Sequence, residues 1–385
     1  MAEAGLHRRN TIPIIVTVIA ILLVMFVPHS FEERTFPNTE RVAGLILSTD
    51  DTYVVDVGLI RTGEQLCEVE LLGGRRNGRH VSGTNILAGS LEQDKFFAPG
   101  DKALVTVDFF EDDIKAVTLV DHYRINWEIF LVALFVIALV SFAGIIGFKS
   151  LLSFIFSIVV IWRVLIPMFL LGYNPVLVGC VTAFILTTVI VGLVYGFDRR
   201  SLAAIIGALL GLGVTCLMAI YFVGVFKIHG AVMPFSEQLL YSGYSWLNLT
   251  QVFIAGIFIA SSGAVMDLAV DITSAVAEVV AKKPEISRFE AVKSGMNVGR
   301  AVLGTMSTTL LLAYSGGYIG LLMVFMAQQI PLINILNLKF VSSEILHTII
   351  GSFGLVTVAP FTALAAGLLL AGAAGRAQKR QQREP

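Results

Sequence analysis

Hydrophobic and polar positions follow two different regimes along this chain. From Glu128 onward they form apolar runs near the roughly 20 residues that a bilayer crossing needs: Glu128–Phe148, Leu151–Leu171, Val176–Tyr195, Leu202–Val225, Gln251–Val280 and Phe289–Tyr314. Before them, Phe36–Leu119 is broken into short runs rich in β-formers, at Arg41–Leu47, Tyr53–Leu59, Gln65–Leu72 and Ala103–Phe109. Ala98-Pro99-Gly100-Asp101 is a turn feeding the alternation of Leu104, Thr106 and Asp108. This pattern predicts a small five-stranded barrel of the oligonucleotide-fold type. At the front, Thr11–Val27 is apolar after His7, Arg8 and Arg9, and no small-residue cleavage site precedes Pro28, so it reads as an uncleaved signal anchor.

Composition supports this division. With a mean hydropathy of +0.82 and 14% charged residues, the chain reads as an integral membrane protein. Its net charge of -1 hides an asymmetry: the segment between Val27 and Asn126 holds 17 acidic and 10 basic residues, and the remainder 11 and 17. An acidic β-domain excludes nucleic acid as partner, because phosphate binding needs a basic face. Lys149, then Arg199 and Arg200, then Lys282, Lys283 and Arg288 fall at alternate ends of the spans, which assigns those ends and the N-terminus to the cytoplasm. The β-domain, Tyr173-Asn174-Pro175 and the Lys227–Trp246 loop are then external. Tyr123 and Trp127 suit the membrane interface, and Gly207-x-x-x-Gly211 marks close helix packing. The expected fold is an α-helical polytopic membrane protein of about eight spans plus a broken or re-entrant segment, with an extracytoplasmic β-barrel. Its parts are an anchor at 1–28, the β-domain at 29–124, a helical bundle at 125–374 and a basic cytoplasmic tail at 375–385.

The chemistry concentrates on two consecutive spans. Asp267, Asp271, Ser274 and Glu278 follow steps of four, three and four, one face of a 3.6-residue helix, and the same face carries Gly263, Ala260 and Gly256 toward the start of the span. The next segment repeats the rhythm with Lys293, Asn297, Arg300, Gly304 and Ser307. Pro284 ends the first helix and Ser287 with Glu290 reads as a capping box opening the second. An antiparallel hairpin about Glu285 places Asp271 level with Arg300 and Glu278 level with Lys293, predicting two ion pairs that could serve structure alone. Asp267 has no such partner. An ionisable group in a membrane span is by default a candidate functional residue, so the expected pathway is Asp267, Asp271, Ser274, Glu278, Asn297 and Arg300. Arg163 sits in mid-span, to pair with a carboxylate of this hairpin or to snorkel.

Beyond Tyr314 the pattern is irregular. Gly317–Leu336 is long enough to cross but is interrupted by Gln328, Gln329, Pro331 and Asn334. A full crossing would leave Arg376, Lys379, Arg380 and Arg383 outside, whereas a re-entrant segment lets Leu355–Gly372 return the tail to the cytoplasm. Broken helices at membrane depth occur where backbone is buried in protein or lines a cavity. Glu344-x-x-His347 lacks the further carboxylates of a di-metal bundle and reads as a polar helix start. Glu111-Asp112-Asp113 reads as a solvated turn and Arg75, Arg76 and Arg79 as a solvated loop. Cys67, Cys180 and Cys216 form no motif. No phosphate loop, nucleophile elbow or zinc motif is present, so neither an enzyme nor a cofactor is expected.

The sequence resembles the YibE/F family of bacterial membrane proteins. The resemblance is carried by Ala255-Gly256-Ile257, Ser262–Asp271, Ser294–Arg300, Gly304-Thr305-Met306, Leu312–Gly316, Glu344, Gly354-Leu355 and Pro360-Phe361-Thr362, and by Asp121–Arg124 closing the β-domain. Ser307-Thr308-Thr309 departs from the pattern, where similar sequences place an amide before the threonine. The resemblance implies a bacterial plasma-membrane architecture and assigns no cofactor or catalytic residue. Two functions fit the residues: a secondary transporter moving a small solute, cation or proton along the acidic stripe, and an envelope scaffold or sensor whose β-domain binds a protein partner. An intramembrane enzyme, needing a water-accessible pair such as Asp267 and Asp271, ranks third. Partners are then the bilayer, a small cation or proton, and an envelope protein or a second copy.

Overall fold

A computed structural model describes residues 2–26, 31, 38–110 and 113–371, with side chains from residue 12 onward. The basic tail, the 28–29 boundary, and Glu111 and Asp112 of the expected acidic turn lie outside the described residues. The chain divides into two compact units, Phe31–Ser141 and Met1–Ser30 with Phe142–Pro385. The helices are α1 (Ala2–Met25), α2 (Ile125–Val160), α3 (Ile166–Leu170), α4 (Pro175–Tyr195), α5 (Arg199–Val225), α6 (Ser236–Tyr241), α7 (Leu249–Lys282), α8 (Arg288–Ser315), α9 (Ile319–Ala327), α10 (Leu332–Asn337) and α11 (Lys339–Leu370). Among the described residues six helical stretches are long and apolar enough to cross a membrane, and Ile12–Met25 is a shorter apolar helix.

The β unit is a closed five-stranded barrel in the order β1-β2-β3-β5-β4, built from β1 (Thr39–Val57), β2 (Ile60–Leu71), β3 (His80–Ala88), β4 (Lys102–Phe110) and β5 (Asp113–His122). Two runs expected as separate strands, Arg41–Leu47 and Tyr53–Leu59, are joined: β1 passes through both and absorbs the polar stretch between them as register shifts at Ile46/Ser48 and Asp50/Tyr53. Alternate residues turn inward, so Ile46, Cys67, Val69, Val105, Val107 and Leu119 form the core. Burial pushes the Cys67 thiol up to about 11. Arg75, expected in a solvated loop, holds Glu40 at 2.8 Å. The barrel also holds a buried polar network, of Gln65, Asn85 and the Phe97 backbone. Gln65 Nε2 donates to the Phe97 carbonyl at 2.9 Å, Gln65 Oε1 accepts from Phe97 N–H at 3.0 Å, and Asn85 Nδ2 donates to Gln65 Oε1 at 3.1 Å.

In the helical unit α7 is the hub, packed in turn against α4, α5, α11 and α8. Small residues set these crossings. Gly207 and Gly211 of α5 lie against Thr362 and Val358 of α11, and Gly354 of α11 lies against Thr215 of α5. A Cβ at Gly207 would enter the Thr362 side chain, so the expected close-packing motif is a direct helix contact. On α8, Gly295 meets Ala363 and Gly299 meets Ala359, which makes α8 and α11 antiparallel. The end of α8 and the start of α11 therefore share one end of the bundle. The segment between them leaves and returns there as α9 and α10, broken at Gln328, Gln329 and Pro331 as the polar interruptions predict; Asn334 is within α10.

The boundary expected at Lys149 is displaced. The backbone is helical through Lys149, whose side chain is buried, and the break falls at Gly144, where φ 55 and ψ -128 are open to glycine and strained for other residues. The Leu151–Leu171 span is likewise interrupted, by a π-helical turn at Ile161–Leu165 that holds Arg163 half-buried.

Replacing Gln65 by Leu leaves the Phe97 N–H buried without its acceptor and takes from the Asn85 amide one of its two acceptors, the Lys95 carbonyl remaining at 2.7 Å, and is expected to destabilise the barrel by about 2–3 kcal/mol. Hydrogen–deuterium exchange of β2, β3 and the Lys95–Phe97 amides in the full-length protein checks this.

Candidate functional site

The acidic stripe is an open seam on a helix that is otherwise enclosed. Along α7, Gly256, Ala260, Gly263, Asp267, Asp271, Ser274 and Glu278 are exposed, while Val265, Leu268, Ala269, Ile272, Thr273 and Val276 are buried. The period of the helix explains the division: stepping four, three and four keeps one face, and that face is the one no neighbouring helix covers. The four helices around α7 contact one another in the order α4, α5, α11, α8, and the ring does not close between α8 and α4. The seam lies in that gap. Asn248 starts α7 by accepting from Gln251 N–H at 3.1 Å, which fixes the helix phase before the seam begins.

Depth along the seam is graded. At about 1.5 Å per residue Asp267 lies about 27 Å and Asp271 about 33 Å from Leu249, so the two straddle the far edge of a hydrocarbon layer about 30 Å thick that begins at the start of α7. Glu278 lies further along. Tyr195, in the last turn of α4, is within electrostatic reach of Asp271 and Asp267 and flanks the seam. Sequence reasoning missed Tyr195. Its signal is positional: Gly179 of α4 meets Ala255 and Phe258 of α7, so the two helices start level and their later turns descend together.

The two ion pairs expected across the hairpin are absent among the described residues. Glu278 is held instead by Lys282 on its own helix, Nζ to Oε1 2.8 Å, and Lys283 reaches Glu290 at 4.0 Å. The capping box that turns the chain is present: Glu290 N–H donates to Ser287 Oγ and Ser287 N–H to Glu290 Oε2, each at 3.2 Å. The hairpin thus forms, but α8 is rotated. Ile272 and Val276, which meet Gly299 and Gly295, lie about 140° and 180° round α7 from Asp267. On α8, Lys293, Asn297, Arg300 and Gly304 lie about 140–200° round from Gly295 and are exposed. Level placement along the axes was readable from chain length; rotation was decided by Ala291, Gly295 and Gly299, which admit close approach to α7 and α11 and turn the polar face outward. The structure therefore brings together Asp267, Asp271, Ser274 and Glu278, and sets Lys293, Asn297 and Arg300 on a separate surface. Among the described residues no cluster of three or more His, Cys, Asp or Glu side chains could hold a metal ion.

A family model described as YibE/F-like protein matches residues 131–372. No curated protein and no solved structure matches the chain.

A Cβ at Gly299 would stand 2.9 Å from Ala359 Cβ and 3.1 Å from Ile272 Cδ1, whereas one at Gly304 would meet open space. Gly299→Leu is therefore expected to destabilise the bundle by about 1–3 kcal/mol, and Gly304→Ala to be tolerated, in thermal unfolding of the detergent-solubilised protein.

Proposed function

Because this chain belongs to the YibE/F-like family and carries helices long and apolar enough to cross a membrane, we propose that it is a permease of the bacterial plasma membrane moving a small solute or cation along the acidic face of α7. The observation that carries this reading is the seam itself: two carboxylates, Asp267 and Asp271, about the far edge of the membrane layer, on the uncovered face of the hub helix and without a cation partner among the described residues. Carboxylates there cost several kcal/mol against lipid, so the seam is stable where it holds water or an exchangeable cation. Asp267 binds the cation or proton, Asp271 continues the path, and Ser274 and Glu278 lead to the end marked by Lys282 and Lys283. That end is cytoplasmic, as are both termini, and the barrel is outside. No enzymatic step and no cofactor enters this mechanism.

Lys293, Asn297 and Arg300 belong to the same reading through a second copy of the chain. The exposed face of α8 carries these three with Gly304 and Thr308, and two cationic groups and an amide there are costly against lipid. It complements the α7 seam in charge, and in copies sharing one orientation Asp271 and Arg300 remain level. A neighbouring α8 laid along the seam restores between copies the pair that the hairpin does not make within one.

A second reading keeps the barrel as the working part, with the bundle as its anchor. It is favoured by exposed Tyr53, Val55, Val57 and Leu59 on the β1–β2 ribbon, a surface suited to a protein partner. Deleting 36–119 separates the two: retained flux removes the scaffold reading.

Proteoliposomes assayed for flux and proton uptake across a panel of metal cations are expected to lose both with Asp267→Asn. Equal flux from wild type and variant, or flux from neither, overturns the permease reading. Coexpressing Asp271→Cys and Arg300→Cys chains, with the native cysteines replaced, is expected to give a cross-linked dimer in native membranes that neither variant gives alone. A mixture that stays monomeric removes the second copy from the seam.

A further inference from the structure

Three buried side-chain atoms without a hydrogen-bond partner in the protein come from one small region: Tyr314 OH, Glu344 Oε1 and His347 Nε2. Antiparallel packing of α8 on α11 gathers them, with Tyr314 in the last turn of α8 and Glu344 and His347 three residues apart near the start of α11. The Tyr314 and His347 rings stack, their centroids 4.3 Å apart and their planes 25° from parallel. Tyr318, just past the end of α8, lies within electrostatic reach of the Glu344 carboxyl. Among the described residues the other orphaned atoms are three threonine hydroxyls, of Thr187, Thr188 and Thr362, and the Asn85 amide oxygen in the barrel. A threonine hydroxyl in a helix can rotate onto a backbone carbonyl. A carboxyl oxygen and an imidazole nitrogen on one helix face have no such outlet, and each buried polar atom left unpaired costs about 1–3 kcal/mol.

The cluster adjoins a space. Tyr318 also lines an open cavity of about 660 Å³, together with the Ala231–Gln238 stretch, Gly317 and Phe340. One aromatic residue thus lines the cavity and stands near the Glu344 carboxyl. The titratable groups facing the cluster can be named element by element: Tyr314 from α8, Tyr318 from the turn after it, Glu344 and His347 from α11, and Glu237 from the cavity wall. From α7 the approach is made by Ser261, against Gly351 one turn beyond His347. No lysine or arginine forms an ion pair with Glu344 among the described residues.

We propose that Tyr314, Glu344 and His347 form a proton-binding site that exchanges with the solution through the cavity beneath residues 231–238, with Tyr318 at its mouth. Hydronium entering the cavity gives up its proton and leaves as water. The proton is then held either on Glu344 as a carboxylic acid beside neutral His347, or on His347 as imidazolium beside the Glu344 carboxylate. Tyr318 serves both states, because a phenol donates to a carboxylate and accepts from a carboxylic acid. Water at the centre would satisfy Tyr314 OH together with the two orphaned acceptors, as buried waters do in polar sites of this kind. The site stands apart from the acidic seam and does not rest on the permease reading.

Infrared spectra of the full-length protein in nanodiscs, recorded across a pH series in water and in heavy water, test the site. A protonated-carboxyl band that titrates, takes deuterium on mixing, disappears in Glu344→Gln and shifts in Tyr318→Phe is the expected result. Gly317→Trp, which fills the cavity mouth, is expected to slow deuterium uptake by that band several-fold. A spectrum unchanged by Glu344→Gln at every pH overturns the proposal, and so does a band that never exchanges. Should Glu344→Gln fail to fold, Glu344→Asp and Tyr318→Phe carry the same measurement: a moved band supports the site and an unmoved one rejects it. Absence of flux in proteoliposomes bears on the acidic seam and leaves these spectra as they are.

Discussion

Close approach of backbones along α11 is the constraint on which the bundle depends. Where membrane helices meet without water to expel, packing and the fit of small residues hold them. Here α5 offers Gly207 and Gly211 to α11, and α8 offers Gly295 and Gly299. The same contacts dictate rotation as well as distance. Once α5 and α8 are seated on α11, α7 fits between them, and its one uncovered face is the one that carries acids.

This explains how two charged stripes with matching rhythm can avoid each other. A hairpin constrains depth through the length of chain, and the capping box at Ser287 and Glu290 fixes where the return begins. Neither says which way a helix turns about its own axis. On α8 the apolar and small positions form a wider face than the polar one, and burying that face is the stronger demand. The charged stripe is what remains outside. The small glycines flanking the acids on α7, Gly256 and Gly263, meet nothing within 4 Å, so along the seam small size marks an open surface, whereas on α5 and α8 it marks contact.

Much of this architecture was readable in the chain. The apolar runs, the capping box, the broken segment at Gln328–Pro331 and the β-rich region each follow from local chemistry that tertiary structure had no reason to override. The failures share a cause. Lys149 looked like a loop because charge was read as exposure, and a long lysine stem can be buried along a helix. Arg41–Leu47 and Tyr53–Leu59 looked like two strands because the polar residues between them interrupt the β-rich pattern, when register shifts accommodate them within one strand. The Asp271–Arg300 and Glu278–Lys293 pairs failed because they needed rotation, which depends on a third helix. Tyr195 and the Tyr314–His347 stack were invisible for a similar reason: each needs residues from elements far apart in sequence to arrive at one level.

The long first strand of the barrel carries a different consequence. β1 pairs with β4 from Thr39 to Leu45, and from Tyr53 to Val57 β2 is its partner, so among the described residues one edge of that stretch has no neighbour in the sheet. Such an edge is a template for self-templated aggregation, most of all with outward-facing residues like Tyr53, Val55 and Val57. Asp50, Asp51 and Asp56 interrupt the run, and a second ribbon laid against it would bring like charges together. Charge in and beside an exposed strand edge disfavours such pairing, and the acids here are also held within the unit, Asp56 by Arg61 at 2.9 Å and Asp51 by Gln65 at 3.0 Å: part of the negative balance of the β unit thereby serves its own fold.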